Sequence, residues 1–344
     1  MQYLSVKTEK NYYKCELIKP QSAQIMALYP NKIQSINKEI ILDYKELVKG
    51  NINNKHINKI GNKIGATFNK IYRSLLENTG DIDNLALILD DETAQVPWEI
   101  GIISKKPKKT YLCENTVGRM RVIKSKSWSS YNRRNRRSRA LIVGLNYEDS
   151  DEPLERAQSE SETIANLLES HGFKVSTLLG KKATMKNVKK KLSNYFDIFH
   201  FTGHGDVIKN ESVIYLHDKK LRSFEMNHLQ APMLSFINAC GSSVERMHKS
   251  SKWSPYTWAN AFLKNGSDIF IGTLWPVNDT PSHKFAEKFY TNMFDQNKTL
   301  GEAMRDTRKD LKRINDDCQT WLAYVLYGNP RIKIRELLPK QINI

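Results

Sequence analysis

The sequence predicts an α/β protein with a mostly parallel sheet and helices on both faces. From about residue 140 onward, short apolar runs typical of buried strands alternate with helical patterns, and such alternation favours a parallel sheet. The 344 residues are enough for roughly two domains or one large α/β unit. Hydrophobic residues make up 40% and charged residues 26% of the chain, which excludes collagen-like repeats and full-length disorder.

The N-terminal part of the chain has a less regular pattern. Apolar residues recur at steps of three or four between residues 56 and 78, which predicts one amphipathic helix. The continuous apolar run at 85–89 predicts a buried strand. Shorter apolar runs at 12–17 and 40–42 are interpreted as strands, and Pro97-Trp98 as a bend with a packed indole.

A basic segment separates this part from the rest. Five arginines lie close together, at Arg133, Arg134, Arg136, Arg137 and Arg139. The stretch 125–138 is polar and has no period, so we expect an exposed linker. A partner-binding patch and a processing site are the alternatives to a solvated loop. We expect two domains: an N-terminal α/β companion region, 1–137, that ends in this linker, and a second domain, 138–344.

The second domain shows the strand–helix alternation most clearly. Strands are predicted at 140–145, 173–179, 196–202, 213–216, 233–239 and 268–274, and helices at 158–171, 184–194, 255–265, 284–294 and from 299 onward. Gly172 stands where a helix-ending glycine belongs, and Thr184 can cap the next helix. Thr299 and Glu302 form a capping-box pattern at the start of the last long helix.

Two of these strands deliver reactive side chains. Sites in parallel sheets lie beyond the carboxyl ends of the strands. The strand 196–202 is followed by Gly203-His204-Gly205, and the strand 233–239 by Cys240 and Gly241. An imidazole beside a thiol lowers the thiol pKa or removes its proton, so the pair predicts a cysteine nucleophile. The amides of Gly205 and Cys240 are candidates for an oxyanion hole.

Each residue alone would be interpreted differently. A single histidine here would be a polar loop residue, and a single cysteine a small buried hydrophobic residue. His200, inside its strand, is expected to be a packed or supporting histidine. No Walker-type glycine loop, HExxH motif or Gly-x-Ser-x-Gly elbow is present in the sequence.

The composition also limits compartment, cofactor and partners. Four cysteines, scattered over the chain, make neither a disulfide framework nor a zinc-ligand pattern, so we expect a cytoplasmic protein without metal or other cofactor. No apolar run is long enough for a transmembrane helix, and we expect no membrane insertion. The formal net charge is +17, but lysine is abundant throughout the chain, and we do not expect nucleic acid to be the main ligand.

The two strand ends resemble a known family. Asp197-Ile-Phe-His-Phe-Thr-Gly-His-Gly and Phe236-Ile-Asn-Ala-Cys-Gly-Ser-Ser are similar to the caspase-type cysteine peptidases of the CHAT family. Pro97-Trp-Glu99, 154–164, 271–279 and Trp321–Pro330 resemble further elements of that family. The resemblance covers about residues 85–333 and implies a caspase-like fold, with a first half that is itself a degenerate caspase-like subdomain.

The resemblance also implies site residues. His204 and Cys240 match the family's catalytic dyad. Asp279 matches an acidic residue that receives a basic P1 side chain in separases, but it also precedes Thr280-Pro281 at a helix start, where it would be a cap. Trp275 either lines the pocket or fills the core. Asn238 and Ser242, which flank Cys240, are further substrate-binding candidates. Asn-Ala-Cys-Gly-Ser differs from the caspase signature, so caspase specificity for aspartate is not implied.

Together these features predict a cysteine endopeptidase that cleaves a specific protein partner. The resemblance implies a role in bacterial antiphage defence, for example activation of a gasdermin-like effector, with a separate sensor or activator protein. The alternative is a catalytically silent interaction module or a nucleic-acid-binding scaffold. The oligomeric state is left open by the sequence.

Overall fold

In a computed structural model, the chain forms two compact units. The first unit contains Met1–Val122 and Thr299–Ile332, and the second contains Ile123–Lys298 and Lys333–Ile344. The structure describes residues 2–9, 12–19, 22–28, 39–40, 42–44, 52–77, 84–90, 93–104, 109–121, 136–148, 150–151, 153–208, 211–239, 255–315 and 318–339. The domain boundary after residue 137 stays a prediction, and the compact units are not consecutive stretches of sequence.

Strands and helices follow each other along the described chain. The strands are β1 (Gln2–Thr8), β2 (Tyr13–Lys19), β3 (Ser22–Leu28), β4 (Leu85–Leu89), β5 (Ile102–Ser104), β6 (Thr110–Tyr111), β7 (Val117–Arg121), β8 (Arg139–Gly144), β9 (Lys174–Leu179), β10 (Ile198–Gly203), β11 (Gly205–Ile208), β12 (Glu211–Tyr215), β13 (Lys220–Arg222), β14 (Leu234–Ala239), β15 (Ile269–Thr273) and β16 (Tyr324–Tyr327). The helices are α1 (Asn54–Thr67), α2 (Asn69–Glu77), α3 (Ala157–Ser170), α4 (Met185–Leu192), α5 (Pro255–Lys264), α6 (Asp279–Phe294), α7 (Leu300–Ile314), α8 (Thr320–Ala323) and α9 (Ile334–Leu337). No helix within these described ranges is long and apolar enough to cross a membrane.

The sheet of the first unit has the order β3-β2-β1-β4-β7-β16. β1, β4, β7 and β16 pair in parallel, whereas β2 is antiparallel to both β1 and β3. The predicted strands at 12–17 and 85–89 are confirmed as β2 and β4. The mixed direction comes from β2, which runs opposite to the other five strands.

Two expectations for this unit are wrong. The predicted strand at 40–42 falls in a segment whose described residues are helical. Ile40 and Tyr44, four residues apart, are both buried while Leu42 is exposed, which is a helical pattern hidden in a short apolar run. The single helix predicted at 56–78 is two helices, α1 and α2, because the chain leaves helical geometry at Phe68.

A buried ion pair explains the Pro97-Trp98-Glu99 element. The Glu99 carboxylate accepts from Arg119 Nε at 2.7 Å, and a second contact joins Arg119 Nη2 to the other oxygen. Arg119 also donates to the carbonyls of Ala94 and Val96, at 2.8 and 3.0 Å. The Trp98 indole is fully buried, as expected, and donates to the carbonyl of Thr93 at 2.8 Å. The bend is therefore fixed from the inside by one guanidinium.

We expect Glu99→Ala to destabilise the protein strongly. Removal of one partner leaves the Arg119 charge buried and unpaired, which typically costs about 3–5 kcal/mol. The free energy of unfolding from urea denaturation measures this effect. Asp310→Ala is the matched control, since it breaks an exposed pair with Arg313 and should cost less than about 1 kcal/mol. Equal effects of the two substitutions would contradict the assignment.

The sheet of the second unit is entirely parallel, in the order β15-β14-β10-β8-β9. It confirms the strands predicted at 140–145, 173–179, 196–202, 233–239 and 268–274 to within two residues at each end. A small antiparallel sheet, β11-β12-β13, follows directly from the end of β10. Gly172 has a φ of 81°, Thr184 accepts from the Asn187 amide, and Thr299 forms its capping box, so the three predicted helix signals are confirmed.

Helices cover both faces of this sheet. Alternate residues of β10 point in opposite directions. His200 contacts Tyr290 of α6, with ring centroids 5.6 Å apart, and hydrogen-bonds to α3. Phe199, on the other face, contacts Phe262 of α5 at 6.0 Å. The predicted α/β class with helices on both faces is thus confirmed.

The end of the basic segment is packed rather than exposed. Arg136 makes two hydrogen bonds, 2.9 and 2.7 Å, to the carboxylate of Asp197, which is fully buried. The Arg139 amide donates to the same carboxylate at 2.7 Å, and Ser138 is buried. The expected exposed linker is therefore wrong for Arg136 and Ser138, whereas Arg137 is exposed, because the buried Asp197 carboxylate needs donors from this segment. Arg133 and Arg134 lie outside the described residues.

Candidate active site

The candidate site begins at two neighbouring strand ends. β10 and β14 are adjacent and parallel, with Thr202 paired to Asn238 and Gly203 to Ala239. His204 follows Gly203 in the chain, and Cys240 follows Ala239. The residues directly before the predicted base and the predicted nucleophile therefore lie side by side. Cys240 itself lies outside the described residues, as do Ser242 and the rest of the segment 241–254.

His204 is held by two tyrosines. Its amide donates to the Tyr147 hydroxyl at 3.0 Å, and its carbonyl accepts from the Tyr215 amide at 3.0 Å. The imidazole lies against the Tyr147 ring, with centroids 4.4 Å apart and planes tilted by 32°. The side chain is half-buried. These contacts fix both the backbone and the ring of the residue that the sequence assigns as base.

The Tyr147 hydroxyl replaces a backbone bond of the small sheet. Continuing the β11–β12 register, His204 faces Tyr215, and such a pair normally exchanges two N–H···O bonds. Here the bond from the Tyr215 amide to the His204 carbonyl is direct. The other bond is replaced by the Tyr147 hydroxyl, which accepts from the His204 amide and donates to the Tyr215 carbonyl at 2.6 Å. A Cβ added at Gly203 would lie 2.6 Å from this hydroxyl, so the glycine makes the approach possible.

Tyr147 was not identified from the sequence. It lies in the loop after β8, at the same sheet edge as the end of β10. Its φ of 53° is in the left-handed region, which is uncommon for a bulky residue. The available signal was its position just beyond the carboxyl end of a predicted parallel strand.

The geometry of β11 directs the Gly205 amide outward. Hydrogen-bonded and non-hydrogen-bonded pairs alternate along an antiparallel ladder. Since His204 and Tyr215 are the hydrogen-bonded pair, Gly205 and Ile214 form the next, non-hydrogen-bonded pair. The Gly205 N–H therefore points away from β12, toward the open edge of β11. This direction is compatible with the predicted oxyanion role, which stays a prediction.

Below the strand ends lies a buried polar network centred on Glu160 of α3. Its carboxylate accepts from His200 Nε2 at 2.9 Å and from Asn238 Nδ2 at 2.8 and 2.9 Å. The Tyr290 hydroxyl lies 3.4 Å from His200 Nδ1. Glu160, His200 and Asn238 have no exposed surface. The expectation that His200 is a packed, supporting histidine is confirmed.

Two of the predicted substrate-binding residues are buried. Asn238 uses its amide to bind Glu160, so in this structure it supports β14 instead of presenting a surface to a ligand. Trp275 is 1% exposed, and its indole N–H has no hydrogen-bond partner within the described part of the chain. The core position anticipated as one alternative for Trp275 is the one observed. Substrate contacts by these two residues stay a prediction.

Asp279 is the first residue of α6, and its carboxylate reaches another helix. Oδ2 accepts from the backbone amide of Arg156, the residue before α3, at 2.7 Å. Oδ1 is buried and has no hydrogen-bond partner among the described residues. Burial raises the pKa of Asp279 above its ordinary value; the Arg156 amide opposes this shift, and the charge of Glu160 adds to it. The carboxylate is therefore under-satisfied, and a cation would complete its bonding.

A comparison with protein families identifies the chain. The profile of the CHAT domain matches residues 65–329, which is more than half of the sequence. The chain belongs to the CHAT domain family. The match begins in α1 and ends just after β16, so this CHAT domain includes residues of both compact units. A comparison with curated proteins finds no match.

Solved structures share the fold of this CHAT domain. Separase from the separase–securin complex of Saccharomyces cerevisiae superposes with a TM-score of 0.60 and 13% identity, covering 96% of this chain and 30% of that chain. The Arg-specific cysteine proteinase gingipain R superposes with a TM-score of 0.53 and 14% identity, covering 87% of this chain and 75% of that chain. A chain from the complex of the Porphyromonas gingivalis RgpB pro- and mature domains superposes with a TM-score of 0.51 and 12% identity, covering 88% of this chain and 78% of that chain.

These likenesses show a caspase-like cysteine peptidase fold, as the sequence resemblance implied. The present chain spans less than a third of the separase chain. At such low identities the likeness shows the fold alone.

We expect Tyr147→Phe to slow turnover without changing substrate binding. The substitution keeps the ring against His204 but removes the hydroxyl that bridges its amide to Tyr215, which frees the His204 backbone. A small displacement of a reacting group costs about tenfold to a hundredfold in rate, and the lost hydrogen bonds about 1 kcal/mol in stability. Steady-state kinetics on a cleavable peptide should show kcat reduced and KM unchanged.

Tyr215→Phe is the matched control for this substitution. Its hydroxyl bonds to Asp206 at 3.3 Å, whereas its backbone amide keeps the bond to His204. A kcat close to that of the unsubstituted enzyme is expected. An equal loss in both variants would mean that neither hydroxyl acts specifically through His204.

Proposed function

We propose that this CHAT-domain protein is a cysteine endopeptidase with Cys240 as nucleophile and His204 as base. The observation that supports this proposal is the pairing of Gly203 with Ala239, the residues before the histidine and the cysteine. A dyad needs its two side chains within hydrogen-bond reach, and adjacent parallel strand ends supply starting points for both. The caspase-like peptidase fold agrees with this chemistry.

The proposed reaction proceeds through a thioester. The Cys240 thiolate attacks the carbonyl carbon of the scissile peptide bond, and the oxyanion accepts hydrogen bonds from the Gly205 and Cys240 amides. The C–N bond then breaks, and His204 gives its proton to the departing amine. A water molecule, deprotonated by His204, attacks the thioester and releases the acid and the free cysteine. No metal or cofactor takes part in these steps.

Cys240→Ala and His204→Ala are each expected to abolish peptide hydrolysis while leaving the melting temperature close to that of the parent protein. Both substitutions leave Glu160, His200 and Asn238 of the buried network unchanged. A thiol-reactive peptide probe with intact-mass detection should label the parent chain at Cys240. Labelling is expected to be absent in Cys240→Ala and slow in His204→Ala, because the thiolate fraction falls without the imidazole.

Cys318→Ala is the control for labelling. Cys318 is the partly exposed one of the described cysteines, whereas Cys15 and Cys113 are buried and burial raises the pKa of both thiols to about 12. Labelling that depends on Cys318 but not on Cys240 would count against the dyad. It would favour the catalytically silent interaction module or scaffold.

Asp279 is proposed to bind a basic P1 side chain of the substrate. Its Oδ1 is buried and has no hydrogen-bond partner in the part of the chain that the structure describes, and a substrate lysine or arginine would supply both a charge and hydrogen bonds. The alternative, a helix cap, finds partial support in the bond to the Arg156 amide, although this bond joins a different helix from the one that Asp279 begins. The two roles are separable, since one uses the charge and the other needs only an acceptor oxygen.

Asp279→Asn should separate the P1-binding role from the capping role, because asparagine keeps an acceptor for the Arg156 amide but loses the charge. We expect kcat/KM after Lys or Arg to fall by roughly two to three orders of magnitude, the equivalent of about 3–4 kcal/mol. The melting temperature should hold in Asp279→Asn and fall slightly in Asp279→Ala. Normal cleavage after basic residues in Asp279→Asn would reject the pocket.

The same substitution should change the pH profile. Because the pKa of Asp279 is raised, the carboxylate loses its charge at a higher pH than an ordinary aspartate as the solution is acidified. Cleavage after basic residues by the parent enzyme should therefore decline on an acidic limb that Asp279→Asn lacks.

The biological setting is the finer part of the proposal. We propose a cytoplasmic enzyme that cleaves one specific protein partner in bacterial antiphage defence, for example a gasdermin-like effector, under control of a separate sensor. The support is the sequence resemblance to CHAT peptidases with such roles. Loss of phage protection in cells that carry Cys240→Ala, with protection intact in Cys318→Ala, would test it.

A further inference from the structure

Four exposed lysines form a ridge at the carboxyl edge of the second unit's sheet. Lys181 and Lys182 lie in the turn that follows β9, and Lys219 and Lys220 lie at the turn between β12 and β13. β9 runs parallel to β8, and β8 to β10, so its carboxyl end lies at the same edge as His204. We refer to these four residues as the lysine ridge.

Hydrogen bonds hold the two halves of the ridge together. The His217 amide donates to the Ala183 carbonyl at 3.0 Å. The Met185 amide donates to the Asp218 carboxylate at 2.8 Å, which joins the hairpin turn to the first turn of α4. The lysines flank both contacts in the sequence, so the two turns that carry them are held next to each other.

The charges of the ridge are not balanced by this part of the molecule. None of its lysines has an ion-pair partner within the described ranges, whereas nearby Lys189 is paired with Glu225 at 2.6 Å. Asp218, the acidic residue between the two halves, accepts from the Met185 amide and offsets one of the four lysine charges, so a net charge of 4 − 1 = +3 remains. Clustered like charges repel each other unless an anion binds.

The ridge adjoins His204 through Tyr215. The Lys220 ammonium lies 4.6 Å from the centre of the Tyr215 ring, and the Tyr215 amide bonds to the His204 carbonyl. In the proposed reaction His204 protonates the departing amine, which belongs to the part of the substrate after the scissile bond. A chain that leaves the site past His204 and Tyr215 would therefore pass the ridge.

We propose that the lysine ridge binds an acidic segment of the substrate on the carboxy-terminal side of the scissile bond. This inference rests on the proposed peptidase function and adds a charge rule to it. Asp279 would select a basic residue before the cut, and the ridge would select glutamate or aspartate residues after it. A substrate with this polarity would be oriented before it reaches the cysteine, because opposite charges guide its two ends to different sides of the site.

The test uses two fluorescein-labelled peptides and the inactive Cys240→Ala chain. Each peptide has an arginine at the cleavage position, followed by a run of glutamates in one and of glutamines in the other. Fluorescence anisotropy gives the Kd of each peptide at low and at high salt. The ridge variants are Lys181→Glu/Lys182→Glu and Lys219→Glu/Lys220→Glu, both in the Cys240→Ala background. Lys174→Glu/Lys190→Glu carries the same charge change on exposed lysines at the amino end of β9 and the last turn of α4.

We expect each ridge variant to weaken binding of the glutamate peptide about tenfold and to remove its preference over the glutamine peptide, since each variant replaces two lysines with two repelling carboxylates. The control variant should change Kd less than twofold, and high salt should abolish the preference. In the active enzyme, the glutamate-to-glutamine ratio of kcat/KM should fall by the same factor in the ridge variants.

Three results would overturn the proposal. The first is equal binding of the two peptides by the parent chain. The second is an equal loss in the ridge and control variants, which would mean that only net charge matters. The third is a ridge that governs binding of a single-stranded DNA probe but not of the glutamate peptide. Ridge-dependent binding without any cleavage would support the acidic-peptide surface and contradict the peptidase function.

Discussion

The carboxylate of Glu160 is the contact on which the candidate site depends. It lies without solvent between α3 and the sheet, and it receives donors from His200 on β10 and Asn238 on β14. A buried carboxylate is costly unless such donors surround it. The three residues therefore stabilise one another as a set, and loss of any one leaves the others buried with unpaired polar groups. His204 and Cys240 follow these same two strands. The relative position of the strand ends is therefore tied to one helix by one side chain.

The loop after β8 adds a second layer of support. The Tyr147 hydroxyl accepts a hydrogen bond from the His204 amide. The side chain of the neighbouring Asn146 accepts from the Gln158 amide at 2.7 Å, at the start of α3. Asp279 joins the same region from α6 by accepting from the Arg156 amide. The residue proposed for substrate charge thus lies on the framework that also carries Glu160, and the negative charge of Glu160 contributes to its raised pKa. The charge state of Asp279, the residue proposed to bind substrate, therefore depends on Glu160, the residue that holds the two strands.

The sequence predicted the parts of the structure that depend on local pattern. β10 and β14 are mostly apolar segments that end in glycine or alanine, and the parallel-sheet rule then placed their ends at one edge. Ile40–Leu42 failed because a short apolar run fits helix and strand equally well. Glu160 was missed although it occupies the buried stripe of α3 together with Ala157, Ile164 and Leu168; a carboxylate at such a position was the available signal. Its donors come from distant segments, which no local pattern reveals.

The bonds between Arg136 and Asp197 bear on how the second unit tolerates a break in its chain. Arg136 and the Arg139 amide share the Asp197 carboxylate, and the Arg137 side chain donates to the carbonyls of Gly172 and Phe173. Strand β8, the middle partner of β10 and β9, is therefore secured within a few residues of its first residue. A cut just before Arg136 would create a new terminus that is already bonded to Asp197, so the start of β8 would not fray.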